Sequence, residues 1–174
     1  MPLFTEINKI VTAVPLATTW IQQTQEERET EAVNIGKYGH LAWIINLGAL
    51  TGGSGTVLTM YEAATATAGA TTPIGTARPG FNYRKMAAPF SVTSTTAMDT
   101  LGALTNTTST LTIGSTWDNL VVVVEVDNKE LTDGYPFVSL GFACTTGITV
   151  WGMNVLAILS EPRYGGDVPL TAIS

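Results

Sequence analysis

Charged side chains are scarce in this chain, and cations are scarcer than anions. Only 13% of the 174 residues are charged, with 8 Lys and Arg against 14 Asp and Glu, which gives a formal net charge of −6. The few cations are scattered along the chain. A nucleic-acid-binding surface needs clustered Lys and Arg that displace the counterions of the phosphate backbone. The composition therefore argues against DNA or RNA as a partner.

Cysteine and histidine are each present once, which excludes most metal and catalytic arrangements. The lone Cys144 allows no intrachain disulfide, and its position in an apolar run predicts a small buried side chain. His40 has no second histidine or cysteine at the spacing of a zinc site, and the sequence assigns it neither a nucleophile nor an orienting carboxylate. We therefore expect no enzyme activity, no metal and no cofactor.

Long hydrophobic runs are also lacking. The best candidate, residues 41–50, is about half the length of a membrane-spanning helix and contains Asn46. The first residues, MPLFTEINKI, have neither the basic start nor the continuous apolar segment of a secretory signal. We expect a chain that is made in a cytoplasm and has no membrane partner.

Small polar and β-branched residues fill the chain instead, with Thr at about one residue in six. Thr suits strands because its branched Cβ fits the pleat while its hydroxyl tolerates water. The apolar runs at 120–126, 137–144 and 148–159 are too short and too β-branched for helices, and short polar turns separate them. Further strand-like runs occur at 32–35, 41–47, 55–64, 81–85, 89–93 and 111–114. This spacing predicts an all-β protein, a jelly-roll-like antiparallel β-sandwich.

The run LVVVVEV at 120–126 gives the most specific prediction about burial. A continuous β-branched run predicts a strand that is buried on both faces, in the middle of the sandwich. A charge introduced by Val123→Asp would then be buried without a partner and should prevent folding.

The first thirty residues differ from the rest and predict an N-terminal arm and linker (1–30), followed by a jelly-roll domain (31–164) and a C-terminal tail (165–174). Residues 5–14 have apolar positions at helical spacing, although their β-branched side chains fit a strand nearly as well. Residues 22–31 are polar and mostly acidic, which predicts an exposed connection. We expect the arm to order against a partner protein or another copy of the chain through its apolar side chains. These are Leu3, Phe4, Ile7, Ile10, Val11 and Val14.

Glu125 is the most informative carboxylate, because it interrupts an apolar strand. It fits either a buried acid with a catalytic role or a structural ion pair, for which Arg84 in the stretch FNYRK is the candidate partner. With Asp127 it would form two carboxylates about 6–7 Å apart on one strand face, the basis of a glycosidase-like alternative. The acidic turn that follows Asp127 lacks the spacing of a calcium-binding loop.

Five stretches carry a family resemblance: GKYGHLAWIINLGAL, GTVLTMYEAATATAG, FNYRK, LVVVVEVDNKELTDGYPFVSL and ILSEPRY. They resemble the capsid decoration, or cement, proteins of tailed bacteriophages that have a jelly-roll fold, and the resemblance covers residues 31–164. It implies a structural virion protein that binds the outer surface of the major capsid protein shell and stabilises it. It also implies assembly in the host cytoplasm and a homo-oligomer, either a dimer or a trimer.

The alternative function is a phage tail or fibre-associated β-sandwich module, either structural or carbohydrate-binding. A sugar-binding surface needs exposed aromatic side chains. Trp43 and Trp151 lie inside apolar runs, which favours core or interface packing over sugar binding.

Overall fold

The computed structural model describes residues 8–14, 20–22, 27–51, 55–66, 75–87, 100–144 and 149–162. In these ranges the chain forms thirteen strands and two short 3-10 turns. The strands are β1 (Lys9–Val14), β2 (Trp20–Gln22), β3 (Glu27–Glu29), β4 (Val33–Asn34), β5 (Tyr38–Thr51), β6 (Thr56–Ala63), β7 (Thr76–Ala77), β8 (Asn82–Lys85), β9 (Thr105–Asn106), β10 (Thr110–Ile113), β11 (Val121–Asp127), β12 (Phe137–Cys144) and β13 (Thr149–Pro162). None of the described segments is a helix long and apolar enough to cross a membrane.

The strands form two antiparallel sheets. The first sheet has seven strands in the order β1-β13-β5-β11-β8-β9, with β2 pairing to β13 beside β1. The second sheet has six strands in the order β10-β6-β12-β3, with β4 added to β12 and β7 to β6. Successive strands such as β4, β5 and β6 alternate between the sheets, so the chain repeatedly crosses the sandwich. The predicted all-β, jelly-roll-like sandwich is confirmed.

The hydrophobic core lies between the two sheets and takes every second residue of β5, β11 and β13. Trp43 of β5 is fully buried there, and it packs within a cluster that includes Val124 of β11 and Phe142 of β12. Each large side chain buried in this way contributes about 1.5–3 kcal/mol to folding. The alternation arises because successive side chains of a strand point to opposite faces.

Strand β11 is buried on one face only, so the expectation of burial on both faces is wrong. Val122 and Val124 have no exposed surface and Val126 has 1%, while Val121 and Val123 are half-buried on the opposite side. The first sheet has the core on one side and no second layer of described strands on the other. Val at both kinds of position hides this alternation in the sequence, because β-branched residues suit either environment.

Parts of the predicted arm and linker belong to the sheets. Residues Lys9–Val14 form β1, which pairs with β13 in register from Lys9↔Leu159, and Glu27–Glu29 pair with β12. Val11 points into the core with 5% exposure, whereas Ile10 points outward with 47% exposure. The strand alternative for residues 5–14 is therefore the observed one from Lys9 onward.

Some predicted features lie outside the described residues. They are Leu3, Phe4 and Ile7 of the arm, the strand predicted at 89–93 and the tail at 165–174. Val14 closes β1, and its side chain is also outside the description.

Candidate functional site

The solvent side of the first sheet, which we call the outer face, carries an aliphatic patch. Its members come from β1, β13, β5 and β11, which are neighbours in the sheet. The register aligns them in rows across the strands, and all are half-buried except Ile10, which is exposed. The patch consists of Ile10, Ala42, Ile44, Val121, Val123, Leu156 and Ile158. Solvated faces of antiparallel sheets usually carry polar side chains, so this face is unusually apolar.

A charged cluster borders the patch at one end of the outer face. Strand pairing places His40 of β5 directly beside Asp127 of β11. The imidazole Nδ1 lies 2.8 Å from Asp127 Oδ1, and Nε2 lies 3.9 Å from Glu125 Oε1. Lys129 completes the cluster with its Nζ 3.1 Å from Asp127 Oδ2.

The structure brings Glu125 and Arg84 together, as the sequence predicts. Arg84 Nε lies 3.9 Å from Glu125 Oε2, and the side chains are 39% and 31% exposed, respectively. The distance exceeds that of a direct hydrogen bond, so the pair is a loose electrostatic contact. Ion pairs with this exposure contribute little to stability. Because Glu125 reaches solvent, the geometry disfavours the alternative of a buried acid.

The carboxylate of Asp127 is held in its charged form by its neighbours. The hydrogen bond with His40 lowers the pKa of Asp127 most, and the hydrogen bond from Lys129 lowers it further. The same contact with Asp127 raises the pKa of Lys129. An orienting carboxylate on a histidine is one half of a catalytic triad, and the other half is a nucleophile bonded to the second nitrogen. Ser160 pairs with His40 across β13, yet among the described residues its hydroxyl makes no hydrogen bond to the imidazole.

Sequence reasoning missed the contact between His40 and Asp127. The signal was present in the two runs HLAWIIN and VVVVEVD, which pair antiparallel from His40↔Asp127 to Asn46↔Val121. Aligning these runs as neighbouring strands would have placed the imidazole beside the carboxylate. Their adjacency in the sheet is not visible in the sequence, because about eighty residues separate them along the chain.

A second ion pair, also missed, is buried at the end of the core. Arg78 Nη1 donates to Glu62 Oε2 at 3.2 Å, and the two side chains are 8% and 9% exposed. Glu62 also accepts hydrogen bonds from the Thr132 backbone N–H at 3.2 Å and from the Thr132 hydroxyl. Arg78 Nη1 additionally reaches the Glu130 carbonyl at 3.0 Å. The pair therefore fastens the turn after β11 to the second sheet.

This turn forms a shallow polar groove without the donors of a metal site. The groove has a volume of about 550 Å³ and is lined by residues that include Gly36, Lys129 and Tyr135. Asn128 Nδ2 is already used, since it donates to the carbonyls of Ile35 at 2.7 Å and Tyr38 at 3.0 Å. No group of three or more His, Cys, Asp or Glu with metal-binding geometry occurs among the described residues.

The described tryptophans do not form a stacking platform for sugars. Trp43 is fully buried in the core. Trp117 is half-buried, with its ring centroid 6.1 Å from that of Tyr83 and 4.5 Å from Lys85 Nζ. The side chains of Trp20 and Trp151 lie outside the described part of the chain. These environments favour packing roles for the tryptophans that can be placed.

Comparison with known proteins adds few relatives. No protein-family model and no curated protein sequence matches the chain. Among solved structures, the SPBc2 prophage-derived protein YomS is 15% identical over 89% of this chain and 96% of its own, with a TM-score of 0.38. A structure of infectious bursal disease virus (Gt strain) is 13% identical over 93% of this chain, with a TM-score of 0.24, and the nora virus structure is 10% identical over 95%, with a TM-score of 0.22. This chain spans 42% and 60% of those two virus chains. TM-scores this low carry no functional inference, so function is argued from the residues themselves.

Proposed function

We propose that this protein is a structural component of a phage virion and, more specifically, a decoration protein that binds the outside of the major capsid protein shell. The apolar edge of the first sheet at β1, on a two-sheet sandwich, is the observation that carries the proposal. A cement protein needs a rigid body with an adhesive surface and no reaction centre. The resemblance of residues 31–164 to jelly-roll decoration proteins supports the same function.

The proposed capsid contact is the edge of the first sheet at β1 together with the residues before it. Ile10 is 47% exposed on this edge, and Leu3, Phe4 and Ile7 precede it in the chain. Among the described strands β1 has a neighbouring strand on one side only, and another chain can add a strand at such an edge. Aliphatic side chains next to such an edge would add buried apolar area to the backbone pairing.

The proposal also holds that the protein is not an enzyme. The charged cluster around His40 is arranged as ion pairs between neighbouring strands, with Asp127 engaged by both His40 and Lys129. In this role the cluster sets the charge of the outer face and performs no reaction.

Locating the protein in virions tests the proposal directly. Virions of the phage that encodes the chain would be labelled with gold-conjugated antibodies against it and imaged by electron microscopy. We expect label distributed over the head, and cryo-electron microscopy should show added density at symmetric sites outside the shell. Label confined to the tail or fibres would favour the alternative tail-associated function and refute decoration.

Substitutions in the residues that precede β1 test the proposed capsid contact. Deleting residues 1–25 is unsuitable, because it would also remove β1 and β2 from the first sheet. Replacing Leu3, Phe4 and Ile7 with Ser should weaken co-sedimentation with empty shells of the major capsid protein by about tenfold or more.

The matched control changes polar residues of the same segment, Thr5→Ser with Glu6→Gln, and should bind shells as the unmodified chain does. If the triple Ser variant binds as tightly as this control, the proposed contact between the N-terminal residues and the capsid is wrong. If the unmodified chain binds no shell at all, decoration itself is wrong.

A further inference from the structure

The outer face, with the aliphatic patch at its centre and polar side chains around it, is large enough for a stable protein interface. Four neighbouring strands, β1, β13, β5 and β11, each contribute a width of about 4.8 Å, and their outward positions, about four on average, each contribute about 6.7 Å of length. The flat area of the face is therefore roughly 500 Å². Protruding side chains raise the accessible area above this value, toward the roughly 800 Å² that each partner contributes to a standard interface.

The central residues of this face are the most suitable for burial. Ile44 of β5 pairs with Val123 of β11 on one side and with Leu156 of β13 on the other. All three are half-buried; along the strands, aliphatic residues flank them on one side, and Asn46, Asn154 and Glu125 flank them on the other. Burying such side chains against a flat partner would remove apolar surface from water without leaving a polar group unpaired.

The charges on the outer face are balanced, although the chain as a whole is acidic. The formal net charge of the chain is −6, so two copies repel each other through most of their surfaces. On the outer face, Arg84 offsets Glu125 and Lys129 offsets Asp127 within the same chain. A second copy can therefore approach this face without a like-charge penalty.

We infer that the occupant of the outer face is the outer face of a second copy, which makes the protein a two-fold symmetric dimer. Two sheets can pack face to face at about 10 Å with their strands within about 30° of each other. A patch that packs on itself is isologous and closes at two copies, so the geometry selects a dimer over a trimer. The inference does not depend on capsid binding.

Sedimentation of the full-length chain tests the inference. We expect twice the chain mass of 18.4 kDa for the unmodified protein in analytical ultracentrifugation. Ile44→Lys places a charge at the centre of the patch and should raise the dimer dissociation constant by about 100-fold or more. Ile44→Thr keeps the β-branched shape and should raise the constant by a smaller factor.

Val57→Lys is the matched control. Val57 is also half-buried and outward-facing on a central strand, β6, which lies between β10 and β12 in the second sheet. This variant should remain dimeric, and circular dichroism of all three variants should retain the strand spectrum. A folded Ile44→Lys monomer beside a Val57→Lys dimer would assign the interface to the outer face.

Three results would overturn the inference. The first is a monomeric unmodified chain at about 100 μM, which would mean that other residues of the chain or solvent cover the face. The second is a trimer, which an isologous face cannot form. The third is a dimer that Ile44→Lys leaves intact or that Val57→Lys disrupts equally. Because no capsid is present in the measurement, each of these results leaves the decoration proposal to its own test.

Discussion

The two sheets carry the same kind of ion pair in opposite surroundings. Glu62 and Arg78 of the second sheet and its adjoining turn lie 3.2 Å apart and are less than 10% exposed. Glu125 and Arg84 of the first sheet lie 3.9 Å apart and are about one-third exposed. The buried pair fastens a turn, whereas the exposed pair balances charge on a surface. The same two residue types therefore have a different structural role when their ion pair is buried than when it is exposed.

The outer faces of the two sheets also differ in the polarity of their side chains. The second sheet presents Thr110 and Thr112 outward, both exposed, and Tyr61, which is half-buried. The first sheet presents the aliphatic patch on its outer side, bordered by polar residues such as Asn46, Asn154 and Glu125. Thr suits a face that meets water, since its hydroxyl is solvated while its Cβ fills the pleat. Thr110 and Thr112 therefore suit a solvated face, whereas the aliphatic centre of the first sheet's outer face is the surface that the dimer proposal uses.

The largest expected effect is the difference in folding between charged substitutions on the two faces of β11. Val124→Asp places a carboxylate at a position with no solvent exposure, at a cost of several kcal/mol. Since domains of this size are stable by only about 5–15 kcal/mol, we expect little soluble, folded protein. Val123→Asp places the same charge on the half-buried outer side near Arg84 and should fold. Soluble yield and thermal unfolding monitored by circular dichroism would measure both variants.

If Val123→Asp proved as damaging as Val124→Asp at low protein concentration, the outer face would not be solvent-accessible in a single copy. The comparison between faces would then fail. Equal tolerance of both substitutions would instead contradict the position of the core.

The next largest expected effect is the difference in stability lost when the arginine of each ion pair is replaced. Arg78→Met removes the cation that faces Glu62 and leaves a buried carboxylate without its charge partner. We expect a loss of about 3–5 kcal/mol in the free energy of unfolding, measured by urea denaturation. Arg84→Met is the matched control and should cost less than about 1 kcal/mol, because its pair with Glu125 is solvated.

A second change tests the reason for this difference. Adding Glu62→Gln to Arg78→Met removes the stranded charge and keeps an oxygen that accepts the Thr132 hydrogen bond. The double variant should regain most of the lost stability. If it does not, the damage from Arg78→Met arises from packing or from the lost bond to the Glu130 carbonyl, and not from an unpaired charge.

Sequence reasoning succeeded where local pattern determines structure. The runs at 137–144 and 55–64 match β12 and β6 closely, because apolar density and flanking turns define each strand without reference to its partner. It failed where the structure depends on which strands are neighbours in a sheet. Placing Arg78 against Glu62 requires the pairing of β7 with β6, and a two-residue strand leaves almost no signal. The one-sided burial of β11 depends in turn on which side of the sheet holds the core.

The Glu125–Arg84 contact was predictable for a different reason. A single acid in an apolar strand needs a cation nearby, and few cations are available in this chain. The contact between His40 and Asp127 lies further along β11, across its other neighbour, β5. It was missed because both residues stand at the polar ends of their runs, where a solvated side chain needs no partner.

The smallest predicted effect concerns Asp127 and pH. Its pKa in the folded chain lies below the ordinary value of 3.8, chiefly because of the hydrogen bond with His40. A carboxyl group with a lowered pKa stabilises the fold fully above its unfolded value and loses that contribution as pH falls through the folded value. The side chain is 35% exposed, so solvent screening limits the contribution to less than about 1 kcal/mol at neutral pH.

Asp127→Asn should therefore be slightly less stable than the unmodified chain at pH 7, and the difference should vanish as pH is lowered from 3.8 through the folded pKa of Asp127. Urea denaturation at a series of pH values would follow the difference. Asp133→Asn removes one negative charge from an exposed position of the following turn and controls for net charge alone. A difference that persists below the folded pKa of Asp127, or that Asp133→Asn reproduces, would show that the ion pairs of Asp127 contribute nothing specific and that the polar end of the outer face is held by its strands alone.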